Sequence, residues 1–447
     1  MTYRRVGSMA LLVCLLALWV APVSAPATTT TLRVQKGKLL DAEDRDVILR
    51  GIAMINKASP YLPNFGAQDF ALVRSWGMNS IRLGTSWRAI EPTKGEYDTG
   101  YLDRLAGFAR AATDAGLYVI VDMHQDLWGG PWGNGAPDWA TDETCPHVDS
   151  ASYTGAWATN YLSPAVMCAF TNFWTSAELQ DHYTKVWREV ASRMADNPMV
   201  IGYDLMNEPY QGFIPPGVFE TQFLYPSQSR WLKSARELDP KAIGFLEAPN
   251  YKNVHMPTVP AIDTPPNAVY APHLYGFWDE IPGQGEQARG DLASANFRYS
   301  VVEAHVMGLP MWLGEFGIVH DAPGAAGFLR TVYDLADEAW AGTAYWEYSP
   351  GNSYSPIDRD RDPRATLIEI ARPYPVAVPE LTEFHFDAAT AVFEATWTGS
   401  GDAVFAVPHM WYPDGPQVDI DGGSWAWNPT TAELTVTGGA GLTVKPA

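Results

Sequence analysis

Two glutamates stand out by where they fall. Ile201-Gly-Tyr-Asp-Leu-Met-Asn-Glu-Pro209 opens as an apolar run and closes on Asn207-Glu208. Pro209 stops the strand, because proline cannot donate to a central ladder. Met311-Trp-Leu-Gly-Glu-Phe-Gly317 repeats the arrangement, with Glu315 between glycines. Two carboxylates at two strand ends can cleave a glycosidic bond. One attacks the anomeric carbon and the other protonates the leaving oxygen, at a separation of about 5–5.5 Å when configuration is retained.

Opposed strand ends of a (β/α)8 barrel can set such a spacing, and the chain has the elements for one. The first barrel strand is expected at Arg50–Met54, the second at Asn79–Leu83 and the third at Leu117–Met123. Val200–Met206, Ala242–Leu246, Ala268–Tyr270, Leu309–Leu313 and Gly342–Trp346 complete eight. Helical spacing separates them over 68–76, 102–115, 180–195, 230–238, 291–308 and 328–340. An open doubly wound sheet is the alternative, but no Gly-rich phosphate loop follows the first strand. Before the barrel, Thr31–Val34 and Asp46–Leu49 read as a hairpin closing its floor.

Arg372-Pro-Tyr-Pro375 ends the barrel, so residues 28–372 form the barrel domain. Residues 376–447 alternate apolar and polar between Gly, Asp and Pro turns, the pattern of a small β-sandwich domain. This module is read as a structural cap, or as a sugar-binding unit through Trp411, Trp425 or Trp427.

Composition narrows the function. A formal charge of −21 excludes a nucleic-acid backbone as partner, since that needs a basic surface. With 47% hydrophobic residues, disorder is not in question. The 18 Trp and 21 Tyr supply flat faces that suit pyranose rings. Arg4 and Arg5 precede an apolar run, Met9–Val20, too short to span a membrane, and Ala25-Pro-Ala27 is a small-residue cleavage site. Residues 1–27 are therefore expected to be a cleaved signal peptide, and the protein to be secreted. Cys145 and Cys168 are then expected to pair, a bridge contributing ~3 kcal/mol on the loop-entropy view.

The order of motifs resembles glycoside hydrolase family 5. Its eight recurrent residues match Arg82, His124, Asn207, Glu208, His273, Tyr275, Glu315 and Trp346. The resemblance implies that Glu208 is the acid/base and Glu315 the nucleophile. On that reading Asn207 bonds the 2-hydroxyl of the attacked sugar and Tyr275 bonds Glu315. Arg82 keeps Glu315 ionised, Trp346 forms the sugar floor, and Glu208 needs a dry or acidic surrounding to start protonated. A metal at His124, Asp126 and His273 is set aside, because the spacing is not that of a ligand set and the family needs no metal or other cofactor.

Ile52-Ala-Met-Ile-Asn-Lys57 and Val121-Asp-Met-His-Gln-Asp126 look like the endoglycoceramidase branch. That likeness implies a glycosphingolipid substrate, with Lys57, His124 and Asp126 on the sugar next to the lipid, and transient contact with a membrane or micelle. An apolar groove is then expected from 212–219, 223–225, 276–278 and 317–319. The alternatives are another family 5 retaining β-glycanase, such as an endo-β-glucanase, and a non-catalytic secreted glycan- or lipid-binding barrel.

Overall fold

The structure is a computed structural model and describes residues 31–128, 134–141, 145, 157–275 and 286–447. Three short strands come first: β1 (Arg33–Gln35), β2 (Lys38–Leu40) and β3 (Arg45–Val47). The barrel follows as β4 (Arg50–Met54), β5 (Ser80–Thr85), β6 (Tyr118–Met123), β7 (Val200–Asp204), β8 (Ile243–Leu246), β9 (Ala268–Tyr270), β10 (His273–Leu274), β11 (Trp312–Phe316) and β12 (Gly342–Tyr345). Every pairing among these barrel strands is parallel. β9 and β10 are two halves of one barrel strand. β9 pairs with β8, β10 pairs with β11, and a bridge from Tyr270 to Met311 completes the ring. The open-sheet alternative is thereby excluded.

The strands are apolar and buried on both faces, as a parallel barrel demands. Helices cover them. In Ala177–Met194, Tyr183, Val186, Trp187, Val190 and Met194 form the inward stripe, and Ser176 accepts from Leu179 N at its start. Two expectations shift. The seventh barrel strand runs over Trp312–Phe316 rather than 309–313, because Pro310 has no N–H to give. Glu315 therefore lies inside the strand rather than after it. The long segment after the third barrel strand also holds a helix, Pro164–Thr175, that periodicity had not revealed. Ser163 followed by Pro164 at the first turn was its readable start signal.

The first three strands do more than close the floor. Leu32, Leu39 and Val47 do pack there, with Ile120, Ile201, Ile243, Phe245 and Trp312. But β3 also pairs with β13 (Tyr374–Pro379). The rest of the chain contributes β14 (Leu381–Asp387), β15 (Val392–Trp397), β16 (Asp402–Ala406), β17 (Pro416–Ile420), β18 (Ser424–Asn428), β19 (Glu433–Thr437) and β20 (Gly441–Pro446). One sheet runs β1-β2-β3-β13-β16-β19-β18 and the other β14-β15-β20-β17. Phe393, Trp397, Phe405, Tyr412, Leu434 and Val444 fill the space between them. The sandwich is thus built from both ends of the chain. Trp411 and Trp427 donate to Ala371 O and Val407 O, while Trp425 is half-exposed.

Polar locks fix the sandwich to the barrel. The Arg372 guanidinium is buried against Asp334 and lies over the Phe386 ring. Arg50 pairs with Asp337 in the interior and lies 4.7 Å from the Tyr374 ring centroid. Gly77 has φ 82°, and a Cβ there would meet Ala406 and Pro408 at 3.0 and 3.1 Å. Only glycine satisfies both demands. The sulfurs of Cys145 and Cys168 lie within bonding distance, with Cα atoms 5.6 Å apart. The expected signal peptide and the 276–278 part of the expected groove lie outside the described residues.

Because one sheet draws strands from both termini, barrel and sandwich should unfold together. Phe405→Ala, a fully buried ring in the sandwich, is expected to cost about 3–5 kcal/mol. Calorimetry should show a single transition moved down as a whole. Two separated transitions, with only one displaced, would contradict the coupling.

Candidate active site

Arg82 sits at the centre. It lies on β5, fully buried, with its guanidinium in the barrel mouth. Nε donates to Asp204 Oδ2 at 2.8 Å and one terminal nitrogen to Glu315 Oε2 at 2.8 Å. The other donates to Asn207 Oδ1 at 2.9 Å and Glu247 Oε1 at 3.1 Å, and lies 3.1 Å from Asp122 Oδ1. One planar cation on β5 thus fixes groups from β6, β7, β11 and the ends of β7 and β8. Burial raises the neighbouring carboxyls, and Arg82 only partly offsets it. Asp122 and Asp204, opposite each other in register, are pushed up to about 6.

Register places His273 beside Glu315. The Tyr275 hydroxyl donates to Glu315 Oε1 at 2.8 Å. His273 Nδ1 lies 2.9 Å from Glu208 Oε1, and its Nε2 lies 2.8 Å from Glu247 Oε1. One carboxylate oxygen of Glu208 and one of Glu315 come within 4.8 Å of each other. That fits the closer of the two separations known for paired glycosidase acids. Glu208 itself has φ 43°, a left-handed conformation unusual outside glycine. Gln125 holds it there, its Nε2 donating to the carbonyls of Asn207 and Glu208. The Asn207 amide also donates to Gln125 O at 2.7 Å.

A polar wall stands on the side of β4, β6 and β12. Lys57 Nζ lies 2.7 Å from Asp126 Oδ2 and 4.6 Å from the Trp346 ring centroid. His124 stacks on Trp346, with centroids 5.5 Å apart and planes at 12°. Its Nδ1 donates to Asp122 Oδ2 at 2.8 Å, which leaves Nε2, with no hydrogen-bond partner among the described residues, as an acceptor. Burial, then the charge of Lys57, keeps this imidazole neutral, its pKa well below the usual value. All ten residues singled out by sequence therefore converge on one cavity mouth.

The protonation pattern differs from expectation. Burial alone would raise Glu208, but the hydrogen bond and charge of His273, then the charge of Lys57, hold it below the usual carboxylate range. Burial would depress His273, but Glu247, Glu315 and its bond to Glu208 carry it well up. A lowered Glu208 and a raised His273 both favour the ion pair, with the imidazole charged. Glu315 is raised, by burial first, with His273 and Arg82 pulling the other way. Arg82 is bonded to it as expected, yet burial dominates.

Sequence reasoning missed several participants. Glu247 ends an apolar strand just as Glu208 does, and that signature could have found it. Gln228 pins it through both backbone groups, at 2.9 and 3.0 Å. Asp122 and Asp204 were read only as strand residues. Asn253 donates to Glu208 Oε1 at 2.6 Å from a short 3-10 turn, Asn250–Val254, with no periodic signal. Buried Glu347, next to Trp346, is pushed up to about 7 by burial.

Two predictions follow from this network. Arg82→Lys keeps the charge but loses the fork. It should cost about 3–5 kcal/mol, the loss expected on breaking a buried pair, and lower kcat/KM by at least about a hundredfold. Thermal melts and steady-state kinetics check both. Asp122 and Asp204 hold protons in the folded chain up to about 6 and release them near 4 when unfolded. Between those values the folded state binds more protons, so their contribution to stability falls as pH rises. Asp122→Asn removes one such group. Its stability relative to the parent should therefore improve from about pH 4 to about pH 6, read from urea titrations across that window.

Comparison with known proteins agrees with the geometry. Residues 40–352 match the family model for cellulase (glycosyl hydrolase family 5), and 372–442 match the glycoside hydrolase family 5 C-terminal domain. Endoglycoceramidase I of Rhodococcus hoagii is 30% identical, over 94% of this chain and 89% of that one. An endoglycoceramidase of Cyanea nozakii is 26% identical, over 82% and 80%. The structure of endo-glycoceramidase II from Rhodococcus sp. with ganglioside GM3 superposes with a TM-score of 0.83 at 30% identity, over 92% of this chain and all of that one. The barrel, its paired glutamates and these matches lead to one conclusion: the chain belongs to glycoside hydrolase family 5 and is a retaining glycosidase.

Proposed function

We propose that this protein is an endoglycoceramidase: it hydrolyses the bond between an oligosaccharide and ceramide in glycosphingolipids. Glu315 attacks the anomeric carbon, and the bond to the ceramide oxygen breaks as Glu208 gives that oxygen a proton. In the second step Glu208 takes a proton from water. The water oxygen bonds the anomeric carbon and Glu315 is released. Glu208 carries the proton for the first step while His273, 2.9 Å from its Oε1, holds the carboxyl in place. As Glu315 becomes an ester its charge disappears, and the repulsion that favoured protonated Glu208 goes with it. Glu208 is then set to act as base.

The observation that carries this reading is the division of the rim. Lys57, His124, Asp126 and Trp346, from the loops and strand ends of β4, β6 and β12, supply donors, acceptors and a ring face for sugar. The loops after β7 and β8 flank Glu208 and carry exposed apolar side chains. Phe213 is 58% exposed and Met256 46%. Ile214, Phe219, Leu224, Tyr225 and Ile318 of the expected groove are core instead. A leaving group that departs past Phe213 and Met256 is best apolar. The relatives named endoglycoceramidase support the same substrate. Transient contact with a membrane or micelle through these side chains, secretion, and a structural Cys145–Cys168 bridge complete the proposal.

Lactosylceramide should release intact disaccharide and ceramide, with carboxymethylcellulose left uncut; product masses decide. Glucose oligomers from cellulose would favour the endo-glucanase reading. Glu315→Gln should retain substrate binding and lose turnover by several orders of magnitude, about 10⁴-fold or more. Unchanged turnover would remove Glu315 as nucleophile, and a binding-only protein would show no turnover in the parent.

A further inference from the structure

Glu208 carries two oxygens, and the structure treats them unequally. Oε1 accepts from Asn253 Nδ2 at 2.6 Å and faces His273 Nδ1 at 2.9 Å. No described side chain donates to Oε2. A carboxylate only accepts, so the amide nitrogen of Asn253 is the atom that faces it. With both donors on Oε1, the proton handed to a leaving group has to ride on Oε2.

The turn that presents Asn253 is held unusually firmly. Asn250 N donates to Pro209 O at 2.9 Å, tying the turn to the residue after Glu208. Lys252, fully buried, pairs with Glu303 on helix Glu286–Met307 at 2.7 Å. Glu303 also accepts from Tyr270 at 2.8 Å and from Thr258. Asn296 of the same helix donates to Lys252 O at 3.2 Å. A buried ion pair of this kind adds little net stability, but it fixes a geometry. Asn253 is thereby aimed at one oxygen of Glu208.

We propose that Asn253 is a positioning residue for the acid/base, selecting Oε2 of Glu208 as the oxygen that transfers the proton. This rests on the reading of Glu208 as acid/base. Asn253 acts from the β8 side. The titratable groups that otherwise face Glu208 are His273, Lys57, His124, Glu315, Tyr275 and Tyr161. Donation from Asn253 favours the charged carboxylate, so losing it makes Glu208 hold its proton to higher pH.

The test compares two lactosides in kcat/KM, which reports the first bond cleavage. Lactosylceramide needs a proton on its leaving oxygen, whereas 2,4-dinitrophenyl lactoside does not. Asn253→Ala should lower kcat/KM for lactosylceramide at least about tenfold more than for the dinitrophenyl substrate. The alkaline limb of its lactosylceramide pH profile should move upward. Asn253→Asp keeps the shape, replaces the donor by a carboxylate, and should do the same; a melt confirms that each variant is folded. Equal losses on both substrates, or an unmoved alkaline limb, would overturn the proposal. Glu208→Ala run in parallel separates the two claims. If it too shows no leaving-group dependence, the acid/base reading has failed rather than the role of Asn253.

Discussion

A single buried cation organises this site. Arg82 has no water around it, so every donor has to be met by protein. Burying a guanidinium costs several kcal/mol before pairing. The chain offsets this with Asp122, Asp204, Glu247 and Glu315, more negative charge than one arginine neutralises. Burial first, and then that excess, lifts Asp122 and Asp204 to about 6. A lysine could supply the charge but not contacts in three fixed directions. One guanidinium nitrogen reaches Glu315 and another reaches the residue before Glu208. The relative placement of the two glutamates therefore depends on one rigid, planar group.

That placement explains why protons settle as they do. The barrel mouth gathers carboxylates faster than cations, so His273, between Glu208 and Glu247, is held charged although burial opposes it. Glu208 is thereby held toward its charged form, contrary to what its role as acid suggests in isolation. The contradiction dissolves once the proton is assigned to the pair rather than to either member. An acid that must later act as a base gains from a charged partner that stabilises its carboxylate through a hydrogen bond. A simple apolar pocket would favour the first step and obstruct the second.

Much of this was legible in sequence because it is local. Each barrel strand is a short apolar run, and Arg82, Asn207, Glu208, Glu315 and Trp346 fall at or near strand ends. What stayed hidden is non-local. β3 meets β13 from the far end of the chain, and no pattern in either run says so. The same holds for Asn253, whose importance comes from Lys252 and Glu303 meeting in the interior. Glu247 is the instructive exception. Ile243-Gly-Phe-Leu-Glu247 carries the signature used for Glu208, but a strand-end glutamate without a known motif was passed over. Register moved Glu315 into its strand because Pro310 could not begin the ladder.

The rim also explains the overall charge. A chain at −21 is repelled by anionic surfaces over the Debye length, about 8 Å at physiological salt. Electrostatics cannot then bring it to a lipid surface. On the proposed function, the pull would come from exposed side chains such as Phe213 and Met256, each contributing roughly 1.5–3 kcal/mol when fully buried. A few such residues suffice for brief contact and fall well short of a permanent anchor. An enzyme that must leave each product and find the next headgroup is served by that weakness.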